Sequence, residues 1–152
     1  MAKEFGKIII PTDGSDEAKI AAKKALFLAK HIQSEVLALF VVDTSYHNRF
    51  SIPENVISYD LDASIKKEGM IALREIEKMG KKMGVKITRK MVDGIPDDEI
   101  IKVARKNDLI VMGSKGLTGL DRILIGSVSE KVLHHAQCPV MIVREVKRKT
   151  KS

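Results

Sequence analysis

Three glycines and a serine follow the apolar run 109–112 with a spacing that could bind a phosphate. Gly113, Gly116, Gly126 and Ser127 fit the pattern G-x-x-G-x9-G-S, which is neither the Walker P-loop nor the dinucleotide-binding pattern G-x-G-x-x-G. Glycine lets backbone amides approach a ligand closely, and the first turn of a helix presents unpaired N–H groups with a favourable dipole. The spacing therefore predicts a strand, a glycine loop and a helix that together bind a phosphate.

Polar side chains could complete such a site. Ser114 and Lys115 lie between the first two glycines, and the charge of Lys115 would favour a phosphate. The Ser127 hydroxyl could cap the following helix or donate to a phosphate oxygen. Asp13 could accept a hydrogen bond from a ribose hydroxyl or bind a magnesium ion that bridges to phosphates. Taken singly, these residues have ordinary alternatives, because the glycines could form a turn and Asp13 could cap the first helix.

Apolar runs and helical periodicities alternate along the chain. The runs 7–11 and 36–42 are continuous, which is typical of parallel strands buried on both faces. Residues 85–91 alternate between apolar and polar, so we predict a half-exposed strand at an edge of the sheet. The remaining strands are predicted at 109–112 and 140–143, the helices at 15–31, 61–83, from 96 to before 108 and at 127–136, and a surface excursion at 43–59.

This alternation predicts an α/β fold: a single doubly wound domain with a five-stranded parallel sheet, order 3-2-1-4-5, and four helices. Parallel neighbours need helical crossovers, which cover both faces of the sheet. In this order the first and fourth strands are adjacent, and ligands bind beyond the carboxyl ends of strands where the order reverses. The topology therefore brings Pro11, Thr12 and Asp13 next to Gly113 and Gly116.

Length and composition limit the class of protein. A chain of 152 residues is most simply one domain with a sizeable core. No apolar run approaches the roughly 20 residues of a membrane span, and the N-terminus lacks the pattern of a secretory signal. We therefore expect a cytoplasmic protein without a membrane partner. Cys138 is the only cysteine, which excludes an internal disulfide and a Cys-x-x-Cys site.

The positive charge is concentrated at the C-terminus. The net charge is +7, and the last nine residues, REVKRKTKS, contribute +4 of it. We divide the chain into a domain at 1–146 and a basic tail at 147–152. Such a tail is more often a solvated end than a nucleic-acid-binding arm, and no helix-turn-helix or aromatic RNA-binding motif accompanies it. A nucleic-acid partner is therefore the weaker alternative.

These motifs resemble the ATP-binding branch of the universal stress protein family over nearly the whole chain. The resemblance lies in KIIIPTDGSDEA, FVVD, GIPDDEI, DLIVMGSKG and IGSVSEKVLHHAQCPVMIVR, with the G-x-x-G-x9-G-S spacing intact. It implies an adenine-nucleotide α-hydrolase-like fold and a homodimer that pairs the final strand, Val140–Val143, across a two-fold axis. It also implies roles for individual residues: Pro11, Thr12 and Asp13 around the base, ribose and metal, Val41 at the adenine, Met112 and Gly113 at the ribose, and Gly116, Gly126, Ser127 and Val128 around the phosphates.

The leading functional hypothesis is an ATP-binding, stress-linked sensor or regulator, with ADP or AMP as possible ligands and Mg²⁺ as the accompanying metal. A slow, magnesium-dependent ATP hydrolase is the first alternative. The sequence contains no P-loop lysine and no nucleophile next to a base, so we assign no catalytic residue and expect at most weak ATPase activity. A protein that binds nucleic acid through its tail is the second alternative.

Overall fold

Strands and helices alternate throughout the computed structural model, which describes residues 4–45, 59–115 and 125–145. The predicted Gly116, residues 46–58 of the surface excursion and the tail at 147–152 lie outside these ranges. Each predicted strand and helix is found. In chain order the described elements are β1 (Ile8–Pro11), α1 (Asp16–Ile32), β2 (Val36–Asp43), α2 (Tyr59–Met83), β3 (Ile87–Gly94), α3 (Pro96–Val103), β4 (Leu109–Gly113), α4 (Ser127–His135) and β5 (Val140–Val143).

The five described strands form one parallel sheet with the order β3-β2-β1-β4-β5. The predicted topology is therefore confirmed, including β3 at an edge. The central strands are the most apolar: Ile8, Ile9 and Ile10 of β1 and Ile110 and Val111 of β4 have no exposed surface. Such continuous burial requires helices on both faces of the sheet.

Two apolar layers enclose the sheet. One face carries Ile8, Ile10 and Val111 and packs against α1 and α2. The opposite face carries Ile9 and Ile110 and packs against α3 and α4. Because side chains alternate along a strand, each strand contributes to both layers. This alternation decides which side of the sheet each residue of the candidate site occupies.

The boundaries of β3 differ from the prediction. The strand was expected at 85–91, but it covers Ile87–Gly94. The amide of Val85 donates to the carbonyl of Gly80, so Val85 belongs to the turn that closes α2, and its side chain is buried. At the other end, Val92, Asp93 and Gly94 continue to pair with β2. A two-residue period marks a strand but does not mark where its pairing begins and ends.

A buried carboxylate fastens the amino end of the sheet. Asp108 accepts hydrogen bonds from Lys7 Nζ at 2.7 Å, from the Arg105 amide at 2.8 Å and from the Lys7 amide at 3.2 Å.

Burial, with the charge of Asp108 as the next cause, raises the pKa of the Cys138 thiol. A thiol that stays protonated and packs against the α3 and α4 layer fits a packing role for Cys138.

No helix in the described ranges combines the length and the apolarity that a membrane span requires.

Candidate functional site

The predicted residues converge at the carboxyl ends of β1 and β4. The two strands pair in parallel, with Ile8 opposite Leu109 and Ile9 opposite Ile110. Pro11 and Met112 lie three residues beyond Ile8 and Leu109, so the two strands reach the same level at this edge. Since β2 lies on the other side of β1 and β5 on the other side of β4, this is the point where the strand order reverses.

The loop after β1 is held by short-range hydrogen bonds. Thr12 is buried, its amide donates to the carbonyl of Leu39, and its Oγ1 accepts from the Gly14 amide at 3.1 Å. Gly14 has φ +83°, a conformation that a side chain would strain. The loop therefore turns sharply and leaves Asp13 exposed at its outer corner.

Asp13 does not cap the first helix. Ser15 is the N-cap of α1, and its Oγ accepts from the Ala18 amide at 3.2 Å. Asp13 Oδ1 accepts from the Ser15 amide at 2.9 Å, which orients the carboxylate within the loop. The capping alternative for Asp13 is therefore wrong, and the carboxylate lies at the crevice as a ligand-binding role requires.

Three of the predicted residues share one face of the sheet. Met112 belongs to the apolar layer under α3 and α4, and Val41 packs against the same layer. Pro11 is buried and lies two residues after Ile9, so it points to the same side. All three lie towards the carboxyl ends of β1, β2 and β4, where apolar side chains would suit a flat aromatic base.

Gly113 is required for close packing between β4 and α1. A Cβ added at Gly113 would lie 3.3 Å from both the carbonyl carbon and the carbonyl oxygen of Glu17. On the other side, Ser129 Oγ of α4 donates to the Gly113 carbonyl at 2.8 Å in a buried hydrogen bond. Close packing against α1 therefore favours a glycine at position 113, in addition to the approach of a ligand that the spacing suggests. The spacing did not reveal the contact from Ser129.

The residues after Gly113 contact the first turn of α1. Ser114 is 1% exposed, and its amide donates to the Val143 carbonyl. The Lys115 amide donates to Glu17 Oε2 at 2.9 Å, and Ser114 Oγ lies 3.4 Å from the same oxygen. The sequence does not single out Glu17, because acidic residues are common in the first turn of a helix, where they interact favourably with the helix dipole.

Helix α4 begins at Ser127 as predicted, but the residue that caps it differs from the prediction. Gly126 is the N-cap, with φ −77° and ψ 165°, and Ser127 is the first helical residue. The capping role suggested for the Ser127 hydroxyl is therefore wrong, although the side chain is exposed at the helix start. Because the N-cap has no side chain, no side-chain hydrogen bond caps this helix. The first-turn amides of α4 retain their preference for an anion.

A backbone hydrogen bond joins the two described ends of the glycine loop. The Gly126 amide donates to the carbonyl of Ser114, so that amide is already used within the protein. Val128, one residue into the helix, packs against the α3 and α4 layer and fixes the direction of α4. Among the described residues, backbone donors for an anion would therefore come from the first turn of α4 beyond Gly126.

Asp13 is the one predicted metal ligand. Across the described ranges, no three His, Cys, Asp or Glu side chains form a group that could bind a metal ion. Mg²⁺ commonly binds to one or two carboxylates and completes its shell with substrate phosphates and water. A single exposed carboxylate fits that mode of binding better than a metal centre built from protein ligands alone.

A cleft of about 210 Å³ lies beside the β1–α1 loop. It faces α1 and α2, whereas Pro11, Val41 and Met112 face α3 and α4. None of the glycine loop residues that the structure describes lines it, so we do not assign the phosphate site to this cleft. Its lining residues are Asp13, Gly14, Lys19, Glu68, Ile71, Ala72 and Glu75.

Comparisons with known proteins show the family to which the chain is related. The chain matches the model of the universal stress protein family over residues 4–144. It is 44% identical to Universal stress protein MJ0531 of Methanocaldococcus jannaschii over 146 residues, which cover 95% of this chain and 85% of that protein. Residue identity at this level over so much of both chains shows common family membership.

Solved structures show the same fold. The universal stress protein UspA from Lactobacillus plantarum superimposes with a TM-score of 0.83 at 28% identity, covering 95% of this chain and 100% of that one. A universal stress protein in complex with cAMP gives a TM-score of 0.69 at 24% identity and covers 92% and 97% of the two chains. The fold is the adenine nucleotide α-hydrolase-like fold, as predicted.

Proposed function

Because the chain belongs to the universal stress protein family, we propose that it binds ATP, or the related ADP or AMP, and acts as a nucleotide-dependent sensor or regulator in a stress response. The observation that carries this proposal is the meeting of two distant segments at the switch point of the sheet. Pro11 and Asp13 end one central strand, and Met112 and Gly113 end its neighbour. The start of α4, which has no side-chain cap, is joined to the second of these strand ends, because Ser129 Oγ donates to the Gly113 carbonyl.

The chemistry of each part suits one part of an adenine nucleotide. The apolar face formed by Pro11, Val41 and Met112 is suited to the base. Asp13 can accept from a ribose hydroxyl or bind Mg²⁺ that bridges to phosphates, which would neutralise their charge. The first turn of α4, from Ser127, offers backbone donors and a favourable dipole to the phosphates.

The ligands of relatives support the choice of an adenine compound. A solved universal stress protein is in complex with cAMP. A second one, from Archaeoglobus fulgidus, is in complex with dAMP. Both proteins have this fold at low sequence identity, so they support the class of ligand and not the identity of the nucleotide.

Mass spectrometry can test the ligand class directly. We expect an adenine nucleotide to be released when the freshly purified protein is denatured, because the two strand ends that we propose to bind it belong to adjacent strands of the folded chain. The matching control is the Asp13→Ala variant, which should release less nucleotide per chain. Stoichiometric release of a compound without an adenine ring would contradict the proposal.

We also propose that the protein forms a homodimer through β5. This strand has one neighbour in the described sheet, β4, so its other edge carries unpaired backbone groups. Its sequence is VMIV, and Met141 is 41% exposed. The opposite edge strand, β3, exposes Thr88, Arg89 and Lys90 instead, and charged residues of this kind oppose edge pairing.

A charge placed in β5 should separate the subunits. We expect Met141→Glu to convert the dimer to a monomer, because two carboxylates would face each other across the two-fold axis. Thr88→Glu introduces the same side chain on the other edge strand and should leave the dimer intact. Sedimentation velocity measures both. A monomeric wild type, or loss of the dimer in Thr88→Glu alone, would argue against β5 as the interface.

A further inference from the structure

Glu17 places a carboxylate on the glycine loop. Its Oε2 accepts from the Lys115 amide at 2.9 Å, and Ser114 Oγ lies 3.4 Å from the same oxygen. These contacts join residues almost a hundred positions apart in the sequence. The backbone of Glu17 also lies close to β4, because its carbonyl group is 3.3 Å from where a Cβ of Gly113 would be.

A carboxylate oxygen that accepts from a loop amide and lies near a hydroxyl imitates a phosphate oxygen. Both groups are anions, and both form short, charge-assisted hydrogen bonds with backbone N–H groups. Lys115 and Ser114 belong to the loop that follows β4, which is the loop that the proposed nucleotide site uses for phosphates. The Lys115 amide and the Ser114 hydroxyl can therefore donate either to the Glu17 carboxylate or to a phosphate of the ligand.

We propose that Glu17 is a specificity-determining residue of this site, because its carboxylate competes with the ligand's phosphate for the Lys115 amide. The inference rests on the proposed function. A phosphate that binds at the loop must displace the carboxylate, and the displaced carboxylate remains nearby and repels it. Glu17 therefore lowers the affinity for phosphorylated ligands and leaves the affinity for adenosine unchanged.

The test compares three nucleotide-free proteins, wild type, Glu17→Gln and Asp16→Asn, in calorimetric titrations with ATP and with adenosine in the presence of EDTA. Asp16 is the matched control, because it is also an acidic residue in the first turn of α1 and it is exposed. We expect Glu17→Gln to bind ATP about tenfold more tightly, the scale of one charge-assisted hydrogen bond and one nearby charge. Adenosine should bind equally to all three proteins, and Asp16→Asn should resemble wild type.

Each other outcome decides between the inference and the proposed function. Equal or weaker ATP binding by Glu17→Gln overturns the inference and leaves the nucleotide site intact. A gain for adenosine as large as that for ATP also overturns it, because the effect would then not concern the phosphate. If none of the proteins binds ATP or adenosine, in EDTA or when the titrations are repeated with Mg²⁺, the proposed function fails and the inference fails with it.

A measurement without ligand tests the contact itself. In the nucleotide-free protein, the Lys115 amide should exchange its hydrogen more slowly in wild type and Asp16→Asn than in Glu17→Ala, because only the last variant lacks the acceptor. Equal exchange rates in all three proteins would overturn the inference, since the carboxylate would not occupy the amide in solution.

Discussion

Asp108→Ala is expected to lower the free energy of unfolding by about 3 kcal/mol, close to the cost of removing one partner from a buried ion pair. The Asp108 side chain is 3% exposed, and it accepts from the Lys7 ammonium and from two backbone amides. Alanine leaves those amides without their acceptor, and each unsatisfied buried donor costs about 1–3 kcal/mol. The Lys7 side chain is 27% exposed and can be partly solvated, which limits the total.

Urea denaturation at neutral pH measures this effect, with Glu35→Ala as the matched control. Glu35 also forms an ion pair, with Lys86 at 3.5 Å, but the two side chains are 59% and 77% exposed. Exposed pairs contribute at most about 1 kcal/mol, so the control should change stability little. Similar losses in the two variants would show that the buried network at Asp108 has no special weight.

The location of Asp108 makes this variant informative about function too. Asp108 lies just before β4, at the amino end of the sheet, whereas the candidate site lies at the carboxyl end. The folded fraction of Asp108→Ala should therefore bind nucleotide as wild type does. Asp108→Ala should therefore lower the free energy of unfolding without changing the affinity for nucleotide.

The sheet was predictable because its causes are local and periodic. Continuous apolar runs mark β1 and β4 as central, and alternation marks β3 as an edge. Parallel pairing then follows from the intervening helices. The order β3-β2-β1-β4-β5, and with it the adjacency of β1 and β4, could be predicted from these features.

Side-chain contacts between distant segments could not be predicted in this way. The bond from the Lys115 amide to Glu17 depends on how closely α1 packs against the end of β4, and no spacing in the sequence reports that distance. The same holds for the buried bond from Ser129 to Gly113. Both residues have common roles in helix first turns, which conceals their contacts.

The residue that caps a helix is also difficult to predict from the sequence. Ser127 is a favoured N-cap residue, yet the cap is Gly126. A glycine N-cap leaves the helix start accessible, whereas a serine N-cap would have used its oxygen on a first-turn amide. A shift of one residue therefore changes what the site offers to a ligand.

Gly126→Val is expected to weaken ATP binding at least about tenfold, through loss of the helix N-terminal anion site. Gly126 has φ −77° and ψ 165°, which valine can adopt, so the fold should persist. The two added methyl groups would lie beside the first-turn amides of α4 and exclude a phosphate from them. Valine is also a poor N-cap, and the helix should lose about 1 kcal/mol.

Ala136→Val is the matched control, because Ala136 is the C-cap of the same helix and also has extended backbone, with φ −63° and ψ 143°. It adds bulk of the same kind at the end of α4 that does not face the glycine loop. Circular dichroism should confirm that both variants fold.

Calorimetric titration of ATP into the three nucleotide-free proteins tests most directly whether the two distant segments form one nucleotide site. We expect wild type and Ala136→Val to bind ATP alike and Gly126→Val to bind it at least about tenfold more weakly. Equal binding by wild type and Gly126→Val, or no binding by wild type, would contradict it.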